Sequence, residues 1–442
     1  MAWYTQWAQA PYELLPLKNW PDECERPLTL KLADDLYAAV GEAAQIDFPR
    51  GKLKLSDAKV NTVVTALNDN GTDIVTPYTL PWRVIMASDR LGGLLENNDI
   101  YLNLNEASAI ANENWIRPGK IIRETRLNTE NSLKCIDFAA AHNMDYILYD
   151  CNWYGRGDDF NSDAGKVVAP IDMKKVVEYG KSKGVGVWVY VNQHALQKQA
   201  EEIFPIYKEW GLAGIKFGFV QFTSQHWADW VHRMVRLAAE NNLMVNIHDE
   251  YRPTGLSRTY PHLLTQEGIR GQEWNAWSVD GGSPAEHVTV LPFTRMLAGP
   301  ADYTPGVFNF DNPVHPNTRV HATLANQLGL FVVLYSPLQM ACDLPENYML
   351  HPEEFEFIRC VPCDWERSIM LDGQIGDYIV MARQARNTDN WYIGAVTDEQ
   401  ARSTTITWAD FLGKGDYQAI IYQDAAQADW QTNPYATAID TL

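Results

Sequence analysis

Between about residues 132 and 247 the chain alternates amphipathic stretches of helical period with short, mostly apolar runs, and that alternation restricts the fold more than any other feature. A helix near Ser132–Ala141 precedes the run Tyr146–Tyr149, and one near Met173–Lys183, stopped by Gly184, precedes Val185–Val191. A third near Gln197–Trp210 precedes Gly214–Val220, and a fourth near Trp227–Glu240 precedes Leu243–Ile247. Apolar strands of this kind belong in a parallel sheet covered by helices. Repeated βα units then favour a closed barrel or a doubly wound sheet. No Gly-rich phosphate loop follows any of these runs, which argues against the nucleotide-binding version.

The flanks read differently. Residues 1 to about 110 are β-rich, with strand-like segments at Leu28–Leu32, Lys59–Leu67 and Trp82–Ser88, a turn at Asn68–Gly71 and a short helix over Asp34–Ala44. After about residue 365, short β segments return at Ser368–Leu371, Tyr378–Arg383, Trp391–Val396, Ser403–Thr407 and Ala419–Tyr422. Lys and Arg total 36 against 56 Asp and Glu, a formal charge of -20 that argues against nucleic acid and anionic membranes as partners. No apolar run is long enough to span a bilayer. Met1-Ala2-Trp3-Tyr4 lacks the basic-then-apolar pattern of a secretory signal. Cys360 and Cys363 form a lone C-x-x-C with no second pair, a weak signal for metal or redox chemistry.

Polar residues just past barrel strands line the active-site mouth. Asp150, Asn152, Trp153 and Tyr154 follow one run; Asn192, Gln193 and His194 follow the next; His248, Asp249, Glu250, Tyr251 and Arg252 follow the last. Four carboxylates, Asp249, Glu250, Glu267 and Glu273, fall between residues 249 and 273. Glycosidic cleavage needs one carboxylic acid on the leaving oxygen and a second carboxylate as base or nucleophile. Crowded carboxylates also raise one another's pKa or recruit a hard cation such as Ca²⁺. Trp153 and Tyr154 are candidates to pack against a sugar ring, and His194, His248 and Arg252 to hydrogen-bond its hydroxyls.

The segment His248-Asp249-Glu250-Tyr251-Arg252-Pro253-Thr254-Gly255-Leu256-Ser257-Arg258-Thr259-Tyr260-Pro261 resembles the H-[DE]-x-x-[RK]-P-T-G-x-x-R-T-[YW]-P stretch of glycoside hydrolase family 97. Segments 79–86, 115–120, 153–155 and 291–300 support the resemblance. It implies an α/β fold: a partial N-terminal β-super-sandwich over 1–110, a catalytic (β/α)8 TIM barrel over 111–364 and a small antiparallel β domain over 365–442. It further implies an exo-acting α-glucosidase or α-galactosidase with bound Ca²⁺, from a family usually exported. By motif position Glu273 is the general acid, Asp249 or Glu250 the base, and Glu42, Asp249, Glu267 and Glu273 the calcium ligands. Retaining members carry an Asp nucleophile in a strand reading I-K-V-D-F. Here Ile215-Lys216-Phe217-Gly218-Phe219 has Gly218 at that place, which points to inversion. Inverting members carry a base glutamate in a stretch like H-H-E, where this chain has Asn192-Gln193-His194. That gap motivates the alternative of a non-catalytic carbohydrate-binding homologue. A short N-terminal sandwich also leaves a sheet edge open to pairing, hence an expected homo-oligomer.

Overall fold

The four expected helices form because each starts at a side chain able to cap it. Asn128, Asp172, Asn192 and Ser224 accept the backbone N–H of Asn131, Lys175, His194 and Trp227, satisfying donors that the first helical turn leaves free. The helices run Thr129–Ala141, Met173–Lys183, Gln193–Trp210 and Gln225–Glu240. The computed structural model that places them describes residues 1–67, 71–277, 281–312 and 314–442. The turn expected at Asn68–Gly71 therefore falls mostly outside the described residues.

The N-terminal part holds β1 (Ala2–Tyr4), β2 (Glu13–Leu15), β3 (Leu28–Ala33), β4 (Leu36–Ala43), β5 (Gly51–Leu55), β6 (Val63–Leu67) and β7 (Trp82–Ser88). Five of these form an antiparallel sheet in the order β2-β1-β3-β4-β7, and β5 pairs with β6. The helix expected over Asp34–Ala44 is instead β4. Asp34 and Asp35 make a two-residue turn, and β4 pairs with β3 on one side and β7 on the other. Two full ladders outweigh the helix propensity of its alanines.

The central sheet has seven parallel strands: β8 (Gly119–Glu124), β9 (Tyr146–Tyr149), β10 (Gly186–Asn192), β11 (Gly214–Gly218), β12 (Met244–Ile247), β13 (Leu263–Gln266) and β14 (Leu338–Ala341), in the order β13-β12-β11-β10-β9-β8-β14. The gap between β13 and β14 is bridged by an irregular segment, residues 301–303. Asp302 N donates to Gln266 O at 3.0 Å and Ala301 N to Tyr335 O at 3.1 Å, while Ser336 Oγ reaches Thr265 Oγ1 at 2.9 Å. A (β/α) barrel thus closes through a segment too sparsely bonded to count as a regular strand. Its floor is filled by Ile121, Tyr146, Leu148, Trp188, Met244, Leu264, Leu338 and Met340, so the interior is a packed core open only above.

The C-terminal part is an antiparallel three-stranded sheet, β15 (Trp365–Gln374), β16 (Tyr378–Ala385) and β17 (Trp391–Thr397), with a hairpin of β18 (Ile420–Asp424) and β19 (Thr437–Thr441). The strand expected at Ser403–Thr407 is not one. Arg383 Nε donates to Val332 O at 2.6 Å, placing a cation at the end of the helix Leu324–Val333. Gly394 is required there: a Cβ on it would lie 2.7 Å from Gly329 O on that helix. Among the described residues no helix is long and apolar enough to cross a membrane.

Candidate active site

Parallel strands bring charged groups from distant parts of the chain to one rim. Arg123 lies in β8, Asp150 just past β9, Lys216 in β11, His248 and Asp249 just past β12, Glu267 just past β13, and Asp302 in the closing segment. Asp150 Oδ2 sits 3.2 Å from Arg123 Nε and 3.3 Å from Lys216 Nζ. His248 bridges two carboxylates, with Nε2 2.5 Å from Asp302 Oδ2 and Nδ1 3.3 Å from Glu267 Oε2. Asn246 Nδ2 donates to the same Asp302 oxygen at 2.6 Å. Glu267 Oε2 also accepts the Asp249 backbone N–H at 2.7 Å and Gln9 Nε2, from the N-terminal domain, at 2.9 Å. Asp249 Oδ2 in turn accepts the Phe219 backbone N–H at 2.5 Å.

The backbone is strained at this rim. Asn152 (φ 71°), Phe219 (φ 55°) and Asp249 (φ 67°) all occupy the left-handed region that residues with a Cβ rarely adopt. Such strain concentrates where a surrounding structure over-determines a functional group.

These contacts sort the ionisable groups. Burial would raise the Asp150 carboxyl, but Lys216 and Arg123 overcome it and hold the group at about 2. Burial opposes a charged His248, yet Glu267 and Asp302 outweigh it and raise the imidazole to about 10, so it is an imidazolium at neutral pH. Asp302 is lowered, because bonding to His248 overcomes its burial. Asp249 moves the other way, raised by burial and by Glu267. Glu273 is pushed up to about 7 by burial and by Glu267. The rim therefore holds firmly ionised carboxylates beside one that takes and releases a proton near neutrality, which is how neighbouring acids acquire different roles.

Several expected site residues lie elsewhere. Trp153 is fully buried, its Nε1 donating to Tyr190 O at 2.6 Å among Tyr154, Tyr207 and Trp210. Tyr154 is also buried and accepts the Asn192 N–H at 3.1 Å. Both plug the space beneath the loop instead of facing a ligand. Arg252 is buried between domains, donating to Arg26 O at 2.9 Å and Ala8 O at 3.2 Å. These two peptide carbonyls and nearby Glu25 make it an anchor between the barrel and the N-terminal part. Glu42 pairs one carboxylate oxygen with Arg26 and the other with Arg83. The N-terminal domain reaches the carboxylate cluster through Gln9. Glu250 points toward the N-terminal domain, 2.9 Å from Arg50 Nη1. His194 stands exposed at the rim with its ring 4.5 Å from that of Phe160.

With Tyr190 where it stands, position 218 has no room for a side chain. A Cβ on Gly218 would lie 1.9 Å from Tyr190 Cε2 and 2.3 Å from its Cζ. Tyr190 is itself buried, with Asn192 Nδ2 donating to its hydroxyl at 3.2 Å.

Among the described residues no three His, Cys, Asp or Glu side chains form a ready metal cage. The donor chemistry nevertheless fits a hard cation. Asp249, Glu267 and Glu273 carry oxygen donors; burial first, and then repulsion from Glu267, raises Asp249 and Glu273, and a bound cation would relieve the repulsion. Lys216, Asp302 and Gln9 were not expected at the rim. Lys216 sits inside an apolar run, and Asp302 has no strand pattern around it. Gln9 comes from another domain, which no local spacing reveals.

Three family models match the chain: "Glycosyl-hydrolase 97 N-terminal" over residues 1–107, "Glycoside hydrolase 97" over 113–269, and "Glycosyl-hydrolase 97 C-terminal, oligomerisation" over 364–442. The chain belongs to glycoside hydrolase family 97. Its structure superimposes on a family 97 enzyme from Pseudoalteromonas sp. strain K8, solved in complex with acarbose, with a TM-score of 0.88 and 33% identity, covering 100% of this chain and 75% of that one. It is 31% identical over 417 residues to a protein of Bacteroides thetaiotaomicron named retaining alpha-galactosidase, across 89% of this chain and 62% of that protein. A Streptomyces bingchenggensis protein named "Probable retaining alpha-galactosidase" is 30% identical over 346 residues, across 76% of this chain and 52% of its own length. This family 97 chain thus spans less than two thirds of each of these two relatives.

Proposed function

We propose that the barrel mouth hydrolyses the terminal α-glycosidic bond of an α-galactoside or α-glucoside, with Glu273 as general acid and Asp249 as general base. The observation that carries this is one cluster. Glu267 fixes His248 and the Asp249 backbone, and half-buried Glu273 lies close enough to that group for Glu267 to be its main charged perturber. Glu273, neutral when its carboxyl is protonated, gives its proton to the leaving oxygen. Asp249, oriented by the Phe219 N–H, takes a proton from water on the opposite face of the ring. Asp150 and Asp302 stay ionised and supply a negative field toward the oxocarbenium-like transition state, while Lys216 offers donors to hydroxyls. Ca²⁺, held by Glu267, Asp249 and Glu273, would add a fixed positive charge that keeps those carboxylates in register.

Inversion is supported by the space at Gly218, which Tyr190 fills, so no carboxylate reaches the anomeric carbon from there. Retention is the rival outcome, because both curated relatives carry it in their names; Asp249 would then be the nucleophile. Proton NMR of the first-formed sugar separates them. The β-anomer supports this assignment, and the α-anomer overturns the inverting mechanism.

A further inference from the structure

The loop joining β1 to β2 leaves the N-terminal sheet and reaches the barrel mouth. Ala8 O accepts Arg252 Nη2 at 3.2 Å, and Gln9 Nε2 donates to Glu267 Oε2 at 2.9 Å. Just before these anchors, the Trp7 ring packs edge-to-face on Trp274, centroids 5.9 Å apart at 68°. Trp274 directly follows Glu273, and the Arg270 guanidinium lies over its ring at 4.6 Å. Trp7 still keeps 38% of its surface exposed. On the other side of Glu273, Gln272 is 4% exposed and neither of its amide atoms has a hydrogen-bond partner among the described residues; Trp274 Nε1 also has none. An open aromatic face thus stands at the carboxylate rim, and the apolar C–H face of a sugar ring matches it.

We propose that Trp7, braced by Trp274, is the platform for the group on the leaving side of the scissile bond, so that the N-terminal domain completes the specificity of the barrel. This rests on the hydrolase reading, in which Glu273 is the acid. An acid protonates the oxygen that departs, so the departing group lies on the acid's side, and Trp274 is covalently next to that acid. Gln9 and Ala8 are the tethers that hold the loop there.

The test compares Trp7→Ala and Trp7→Phe with wild type on a 4-nitrophenyl α-glycoside and on the α-glycosyl fluoride of the same sugar. A fluoride leaving group is too small to reach the platform. In Trp7→Ala the ratio of kcat/KM for the aryl glycoside to that for the fluoride falls about tenfold, mostly through KM, as expected for one aromatic contact. Trp7→Phe restores most of it. Equal losses on both substrates, or an unchanged ratio, would overturn the platform. If wild type hydrolyses neither substrate, the hydrolase reading fails separately, and calorimetric titration with melibiose and maltose decides. Weaker binding by Trp7→Ala then upholds the platform, and equal binding, or none by wild type, removes it.

Discussion

Adding one methyl group at Gly218 should damage the protein far more than its size suggests. The new carbon of Gly218→Ala would fall 1.9 Å from Tyr190 Cε2 and 2.3 Å from Cζ, where ordinary contact begins near 3.4 Å. The ring must therefore shift by roughly 1–2 Å, and it is confined: its residue is 6% exposed and its hydroxyl is tied to Asn192. Overpacking of this kind costs about 1–3 kcal/mol. Tyr190→Phe would not relieve it, because the two closest ring carbons remain. Tyr190→Ala would relieve it, although a cavity of its own makes that single change cost about 3–5 kcal/mol. The double variant should thus be more stable than the sum of the singles, by an interaction of about 1–3 kcal/mol. Scanning calorimetry of the four proteins in one buffer, with glycoside hydrolysis measured in parallel, reads both effects. A Gly218→Ala protein with wild-type melting and wild-type activity would refute the claim that Tyr190 fills this space, and with it the structural support for inversion.

Glu273→Gln should lower turnover of unactivated glycosides about 10²–10⁴-fold, the usual worth of a general acid, while the protein stays folded. Because the wild-type acid must be protonated, activity should fall on the alkaline side as Glu273, raised by burial and by Glu267, loses its proton. The same group's stability contribution is present below its unfolded value of 4.5 and lost as pH rises through about 7, so in chelator Glu273→Gln should be the more stable protein at pH 8, by at most about 3 kcal/mol. A variant that melts no higher than wild type at pH 8 would show that the carboxyl is not held up. The C-terminal domain, matched to a family model described as oligomerising, carries half-exposed Trp408 and Ile420, and we expect the chain to self-associate through it. Sedimentation equilibrium should give a mass above the 50.2 kDa monomer, and a monomer at every concentration would remove that expectation.

The sequence made the barrel legible because its helices and strands are locally encoded. Met173–Lys183 and Tyr146–Tyr149 fall where periodicity puts them, and capping residues mark the helix starts. The closing segment at 301–303 was hidden because sparse backbone bonding leaves no strand pattern. Residues 36–43 misled because alanines favour a helix in isolation, whereas two neighbouring strands decide otherwise. At the site, carboxylates at strand ends were readable from position alone. Orientation was not: Trp153, Tyr154 and Arg252 lie next to the rim in sequence yet turn their side chains into packing or toward another domain. Gln9 and Trp7 approach from more than two hundred residues away, a juxtaposition only the fold creates.

Hydrolysis of 4-nitrophenyl α-galactoside and α-glucoside by the purified protein, in Ca²⁺ and in chelator, tests the central claim most directly. Release of 4-nitrophenol from one of them, reduced by chelator, is the predicted result. A folded protein that releases nothing from either substrate with Ca²⁺ present would contradict the hydrolase reading and leave a carbohydrate-binding homologue in its place.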